Sequence, residues 1–309
     1  MLIDEQKSKS ELINNNINNN KMAREIFYKG TNIEPYWDLI KRIIHESDIV
    51  LEVLDARLVE LSRNEEVERL IEEEGRPVIY VVNKSDLVNK EKLIEQIRHL
   101  DNEGKYVVFV STKQKGSIKI LLYAIKKVFA KHGKRVVDEN EKLKYREARA
   151  DIVVGVLGYP NVGKSSIINR LSYSRKMKVS KKAGTTHGIH WINATDEIKL
   201  IDSPGVIPLG RESIEDEIRY GLIGAKGEER LKHPEVVANA VIKFFMKNNP
   251  RAFEKYFDIR INEEEKEDFC CIIEKIGDRK RYLLKGNRID ENRVCQMIIR
   301  DWQEGRLRL

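Results

Sequence analysis

The segment "GYPNVGKS" at 158–165 fits the pattern G-x-x-x-x-G-K-[ST]. Glycines there let backbone N–H groups turn inward around phosphate oxygens, which a Cβ atom would obstruct. Asn161, Val162, Gly163 and Ser166 belong to this loop; Lys164 is placed to reach the outer phosphates, and the Ser165 hydroxyl to ligate Mg²⁺. A second group, "NKSD" at 83–86, suits a purine base. The Asp86 carboxylate can accept from the ring N–H and exocyclic amine of guanine, whereas adenine presents an acceptor at the ring position and would leave the pair broken. Asn83 would brace the loops and the Lys84 stem would cover the base. In "STK" at 111–113, Ser111, Thr112 and Lys113 would bring backbone amides to the guanine oxygen; an ordinary polar loop is the other reading. "DSPG" at 202–205 offers Asp202 for Mg²⁺ through water and the Gly205 N–H for a γ-phosphate. Thr186, in "AGTTHG" at 183–188, is the hydroxyl expected to close on Mg²⁺ only when a γ-phosphate is present.

These groups can act together only if the elements carrying them end at one place. "SDIVLEVLDAR", "RPVIYVVNKSD", "KYVVFVSTKQKGS" and "DIVVGVLGYPNVGKSS" each read as a short apolar strand whose C-terminal end turns polar. "HWINATDEIKLIDSPG" reads as two strands with a turn near Asp196. Between the strands, "NEEVERLIEEEG" has helical periodicity and stops at Gly75, "NKEKLIEQIRHLDNEG" is a helix, and "SIKILLYAIKKVFAKHG" is an amphipathic helix. The alternation predicts an α/β fold with a parallel-rich sheet covered on both faces. Beyond residue 212 the strand signals fade, and "PEVVANAVIKFFMKNNP", "EKEDFCCIIEKIG" and "ENRVCQMIIRDWQEG" are helix-like, the last stopping at Gly305. The expected divisions are a partly disordered tail at 1–34, with "NNNINNN" too polar to build a core, a nucleotide domain at 35–212 and a small helical domain at 213–309 that meets RNA.

The chain of 309 residues is 41% hydrophobic and 35% charged, as expected of a soluble globular protein. No apolar run is long enough for a membrane span, and the first residues lack an apolar export core, which points to a cytoplasmic protein with no membrane partner. Cys270, Cys271 and Cys295 show no metal-ligand spacing and read as thiols of a reducing compartment. The net charge of +7 is unevenly spread. Residues 1–112 hold 16 Lys/Arg against 22 Asp/Glu, residues 113–149 hold 12 against 4, and residues 152–195 hold 7 against none. A nucleotide needs one or two of those cations, and the rest suit a polyanion such as RNA.

The motif order carries a resemblance. "NKSD" and "STK" come first, followed by "GYPNVGKS", "TT" and "DSPG", the elements of a P-loop GTPase in rotated order. The chain resembles the circularly permuted GTPases of the YlqF/YawG type, and "LDAR" at 54–57, "DSPGVIP" at 202–208, "LKHPEVVANAV" at 231–241 and "IIRDWQEGRLRL" at 298–309 fit that group. The resemblance implies GTP/GDP and Mg²⁺ as ligands, the large ribosomal subunit or its precursor and its rRNA as partners, and a monomeric protein. It also implies slow intrinsic hydrolysis, because Val206 stands where many relatives of the fold place a water-orienting glutamine. "NKMAREIFYKG" at 20–30 lacks the F-P-G-H-M element and histidine of the bacterial branch, which leaves His187 as the candidate beside the switch threonines. His187 equally suits a loop facing solvent or rRNA. Asn161 matches the asparagine by which some such GTPases hold K⁺, or packs the loop. A GTP-dependent RNA-binding sensor with negligible hydrolysis, and a small-molecule kinase, are the competing functions; "NKSD" counts against the latter. "RLRL" at the C-terminus is expected to touch RNA or to fray.

Overall fold

The computed structural model describes residues 36–102, 105–134, 152–172, 190–203 and 213–309. The expectations for the tail at 1–34, for Thr186, His187, Gly205 and Val206, and for the connector after Lys134 fall outside the described residues.

In chain order the elements are α1 (Tyr36–Glu46), β1 (Ile49–Asp55), α2 (Val59–Ser62), α3 (Glu65–Glu73), β2 (Val78–Asn83), α4 (Lys90–Asn102), β3 (Tyr106–Phe109), α5 (Lys115–His132), β4 (Ile152–Leu157), α6 (Lys164–Leu171), β5 (His190–Asn193) and β6 (Ile198–Asp202). Five helices follow: α7 (Ile214–Leu222), α8 (Pro234–Asn248), α9 (Pro250–Phe257), α10 (Phe269–Lys280) and α11 (Glu291–Gln303). The strands form one sheet in the order β3-β2-β1-β4-β6-β5. All neighbouring pairs are parallel except β5 and β6, a hairpin that adds an antiparallel edge.

The strand sequences explain why both faces are covered. Every residue of β1 and β4 is buried, and such continuous apolar runs need helices on each side. Alternate residues go to opposite layers. Leu51, Val53, Val154 and Val156 join the cluster that holds Ile118, Leu121, Ile125 and Val128 of α5 and Ile167 and Ile168 of α6. Val50, Val153, Leu157 and Ile201 face Ile40, Ile43 and Ile44 of α1 and Val67 and Ile71 of α3. Leu54, Tyr80 and Val82 meet Leu93, Ile97 and Leu100 of α4. Glu52 breaks the apolar run of β1. It is buried, accepts the Asn64 N–H at 3.0 Å, and burial raises its carboxyl well above the carboxylate range.

The first apolar cluster continues into the C-terminal helices through Tyr159, Val162, Tyr220, Phe245, Phe253, Ile298 and Trp302. Trp302 is fully buried, with Phe244 and Phe245 each 5.6 Å from its ring and its Nε1–H donating to Leu222 O at 2.7 Å. The last residues do not fray, and Arg306 and Arg308 stay exposed. Leu307 is fully buried and Arg306 pairs with Asp301 at 2.8 Å. Apolar residues at alternate positions of "RLRL" turn inward once Gly305 has ended α11 at φ +71°. Among the described residues, no helix is long and apolar enough to cross a membrane.

Candidate nucleotide-binding site

Parallel pairing of β1, β2, β3, β4 and β6 brings their C-terminal ends to one edge of the sheet, where a doubly wound fold holds its ligands. Asp55 ends β1, Asn83 ends β2, Ser111 follows β3, the 158–163 loop follows β4, and Asp202 ends β6. Four of the five sequence motifs thus reach the same edge, and the fifth falls outside the described residues.

The loop after β4 turns where only glycine fits easily. Gly158 has φ +140°, and a Cβ there would lie 2.6 Å from Val53 O. Gly163 has φ +105°, and a Cβ would lie 2.1 Å from Asn83 Nδ2. That close approach leaves room for Asn83 Nδ2 to donate to Val162 O at 2.8 Å, tying the base turn to the phosphate loop. Gly163 caps α6 without a side-chain hydrogen bond, so the first N–H groups of the helix have no side chain in front of them and suit an anion. Ser165 and Ser166 are half-buried in that first turn.

Lys164 is buried, and its ammonium donates to Gly158 O at 2.6 Å and Tyr159 O at 2.8 Å. Burial pulls its pKa down to about 8, with Asp202 opposing. Asp202 is 1% exposed. Neither of its carboxylate oxygens has a hydrogen-bond partner among the described residues. Burial pushes this carboxyl up to about 6, while Lys164 and His190 pull it down. A buried, unbonded carboxylate beside an uncapped helix N-terminus matches the donor chemistry of a hydrated Mg²⁺ with phosphates.

The base turn is already bonded. Asp86 accepts from Ser111 Oγ at 2.8 Å and from Lys113 Nζ at 2.7 Å. Burial would raise this carboxyl, but the bonds from Lys113 and Ser111 outweigh it and hold it below the usual range. Thr112 is half-exposed and Lys113 exposed, so the "STK" loop borders solvent. Lys84, at φ +60°, sends its ammonium to Asp55 at 2.7 Å.

Two residues that sequence reasoning noted only as part of "LDAR" anchor this turn. The Asp55 carboxylate accepts from Lys84 and from Arg57 Nε at 2.9 Å and NH2 at 2.7 Å. Burial opposes its ionisation, but Arg57 and Lys84 hold it far below the ordinary range. Arg57 is itself 1% exposed, donates to Trp302 O, and stacks 4.3 Å over the Trp302 ring. Charged residues directly after a buried apolar run were the available signal. Asn161, at φ +60°, donates from Nδ2 to Gly224 O at 2.7 Å. Leu87 packs against Gly305, where a Cβ would come within 2.8 Å of it. The nucleotide edge and the C-terminal helices therefore meet at Asn161, Arg57 and Leu87.

The sequence model of a family described as a 50S ribosome-binding GTPase matches residues 153–275. The GTP-binding protein MJ1464 of Methanocaldococcus jannaschii is 35% identical over 286 residues, covering 93% of this chain and 69% of its own length. Nucleolar GTP-binding protein 2 of Saccharomyces cerevisiae is 30% identical, over 92% of this chain and 54% of that protein. This chain thus spans only about half of the nucleolar relative. The GDP-bound YlqF structure from T. maritima matches with a TM-score of 0.56 at 20% identity, over 87% of this chain and 95% of that one. At that identity the likeness bears on the fold alone. This chain belongs to the circularly permuted YlqF/YawG family of GTP-binding proteins.

Proposed function

We propose that the protein is a GTP-hydrolysing switch that acts in assembly of the large ribosomal subunit through contact with rRNA. The observation that carries the nucleotide reading is the convergence of Asp86, Lys164 and Asp202 on one sheet edge. Asp86 reads guanine, with Ser111, Thr112 and Lys113 beside it. Lys113 occupies one carboxylate oxygen and is 66% exposed, so guanine can displace it at small cost. Asn83 holds the base turn to the phosphate loop, and the Lys84 stem lies against the base with its ammonium fixed by Asp55. The N–H groups from Asn161 to Ser166 wrap the phosphates, and Lys164 leaves its loop carbonyls for the phosphate oxygens. Ser165 and Asp202 hold Mg²⁺, Asp202 through water, with Thr186 and the Gly205 N–H completing the triphosphate state. Mg²⁺ supplies charge neutralisation at the phosphates.

The ribosomal part draws support from the names of the relatives and from the cationic excess at 113–149 and 152–195. Residues 35–212 hold nucleotide, residues 213–309 meet the ribosomal partner, and the contacts at Asn161, Arg57 and Leu87 link the two. The protein acts as a monomer where subunits are built, the cytoplasm in a cell without a nucleus. Val206 makes intrinsic hydrolysis slow; His187 or the bound subunit completes water positioning. Asn161 keeps its Oδ1 for K⁺ while its amide is held by Gly224.

The second reading, a GTP-dependent sensor with negligible hydrolysis, is favoured by Val206. Turnover measured in potassium and in sodium, with and without purified large subunits, separates them. A large rise with subunits supports the switch, and loss of the rise in sodium places Asn161 in the mechanism. Tight GTP binding with no rise in either salt supports the sensor.

A further inference from the structure

Helix α5 differs in charge from α3 and α7. The first turns of α3 and α7 carry Glu65, Glu66 and Glu68, and Glu215, Asp216 and Glu217, which suit the positive end of the helix dipole. The 18 residues of α5 contain five lysines and no Asp or Glu. Lys127 and Lys131 are a like-charge pair at four-residue spacing, which costs stability. Lys126 has a structural partner in Glu197 and Lys131 suits the helix C-terminus, but Lys119 and Lys127 have no ion pair among the described residues, which points to a functional face.

The orientation of α5 is set by its core side, Ile118, Leu121, Ile125 and Val128. The opposite side is exposed and includes Lys119, Ile120, Tyr123, Lys127 and Lys131. Tyr123 is 67% exposed and Ile120 59%. Lys119, Tyr123, Lys127 and Lys131 follow one another at four-residue spacing, a line about 18 Å long at the helical rise. Of Lys119, Lys126, Lys127 and Lys131, Lys126 is the one in an ion pair among the described residues, with Glu197. Lys131 lies over the Tyr106 ring at 5.5 Å with its charge still at the surface.

We propose that the outer face of α5 is an RNA-contact surface, in which Lys119, Lys127 and Lys131 neutralise phosphates and Tyr123 stacks on a base or ribose. A single projecting aromatic ring between lysines is the pattern of a nucleic-acid platform. A membrane surface would call for a broader apolar stripe. The helix begins two residues beyond Lys113, so the line from Lys119 to Lys131 starts near the base end of the site and runs away from it. That this RNA is ribosomal rests on the function proposed above; the contact does not.

The test uses the full chain with three probes: a labelled RNA duplex, isolated large-subunit rRNA, and vesicles containing phosphatidylserine. Combined Lys119→Glu, Lys127→Glu and Lys131→Glu should weaken binding to both RNAs at least about tenfold and lower the log–log salt slope by about two to three. Tyr123→Ala should weaken binding to the rRNA, whose unpaired bases are open to stacking, about fivefold or more with the slope unchanged. GTP affinity should not change in either variant, because these side chains are exposed. Wild-type affinity and slope in the triple variant would overturn the proposal. So would a wild-type protein that binds no RNA at low salt, or one that binds vesicles instead of RNA. A wild type that binds the duplex and naked rRNA but does not sediment with large subunits would overturn the ribosomal reading and leave the α5 contact standing.

Discussion

At one end of the strand edge Asp86 and Lys84 already have partners, Ser111 and Lys113 for the first and Asp55 for the second. At the other end Asp202 has no hydrogen-bond partner among the described residues, and Lys164 rests on the carbonyls of its own loop. Asp86 and Lys84 are half-buried and bonded, whereas Lys164 and Asp202 are buried and the Asp202 carboxylate has no hydrogen bond among the described residues. On the function proposed above, the base end would read guanine after exchanging the exposed Lys113, and the phosphate end would hold unfavourable electrostatics that a magnesium–phosphate ligand relieves. A site arranged this way should hold its shape without ligand at the base and gain most of its binding energy at the phosphates.

The largest expected effect breaks the bonded end. Arg57→Ala leaves Asp55 with Lys84 and the backbone N–H of residue 57 and removes the stacking on Trp302; losing one partner of a buried pair costs about 3–5 kcal/mol. Thermal or urea unfolding should show that loss. The contribution of Asp55 has a definite sign: its pKa is depressed in the folded state, so it stabilises above the ordinary carboxylate value and loses that effect as pH falls below about 4. The variant should therefore differ most from wild type at neutral pH and least in acid.

Next in size is Lys164→Ala, which should weaken GTP binding about a hundredfold with the fold retained, as read by titration with a fluorescent GTP analogue. Stability without ligand should hold or rise, because the substitution removes a buried cation with a lowered pKa. Asp86→Asn sharpens the comparison at the other end. The new amide can pair with a carbonyl at the guanine amine position, so GTP affinity should fall about tenfold to a hundredfold while xanthosine triphosphate gains.

The smallest effect is a slope with pH. The Asp202 carboxyl is raised to about 6, so its protonated form stabilises the ligand-free protein below about pH 4 and that stabilisation is lost as pH rises through 6. The two ends therefore titrate with opposite signs. Asp202→Asn should flatten the stability profile between pH 4 and 6, raise the unfolding temperature at pH 7, and weaken the Mg²⁺ dependence of nucleotide binding.

The strand-end motifs were legible because each lies where an apolar run turns polar, a signal that needs no tertiary information. "HWINATDEIKLID" resolved as a hairpin for the same reason, its turn polar and its strands apolar. Helices α1, α7 and α9 were not picked out, although α1 and α9 are amphipathic, because each is short and stands beside a segment read as tail, loop or the neighbouring helix. The role of Arg57 depended on Trp302, 245 residues away in sequence, and no local pattern reports such a contact. The partner of Asn161 is a backbone carbonyl at Gly224, which any residue type could have supplied. Fraying of "RLRL" was one expectation, because its charges hid Leu307, which the C-terminal helices bury.

The most direct test of a guanine reader beside an uncompensated phosphate end is displacement of labelled GDP by GTP and by ATP, each with and without Mg²⁺. GTP should displace it readily and ATP should fail at about a thousandfold excess, and removing Mg²⁺ should weaken GTP markedly. ATP displacing as well as GTP, with no response to Mg²⁺, would contradict the account at both ends.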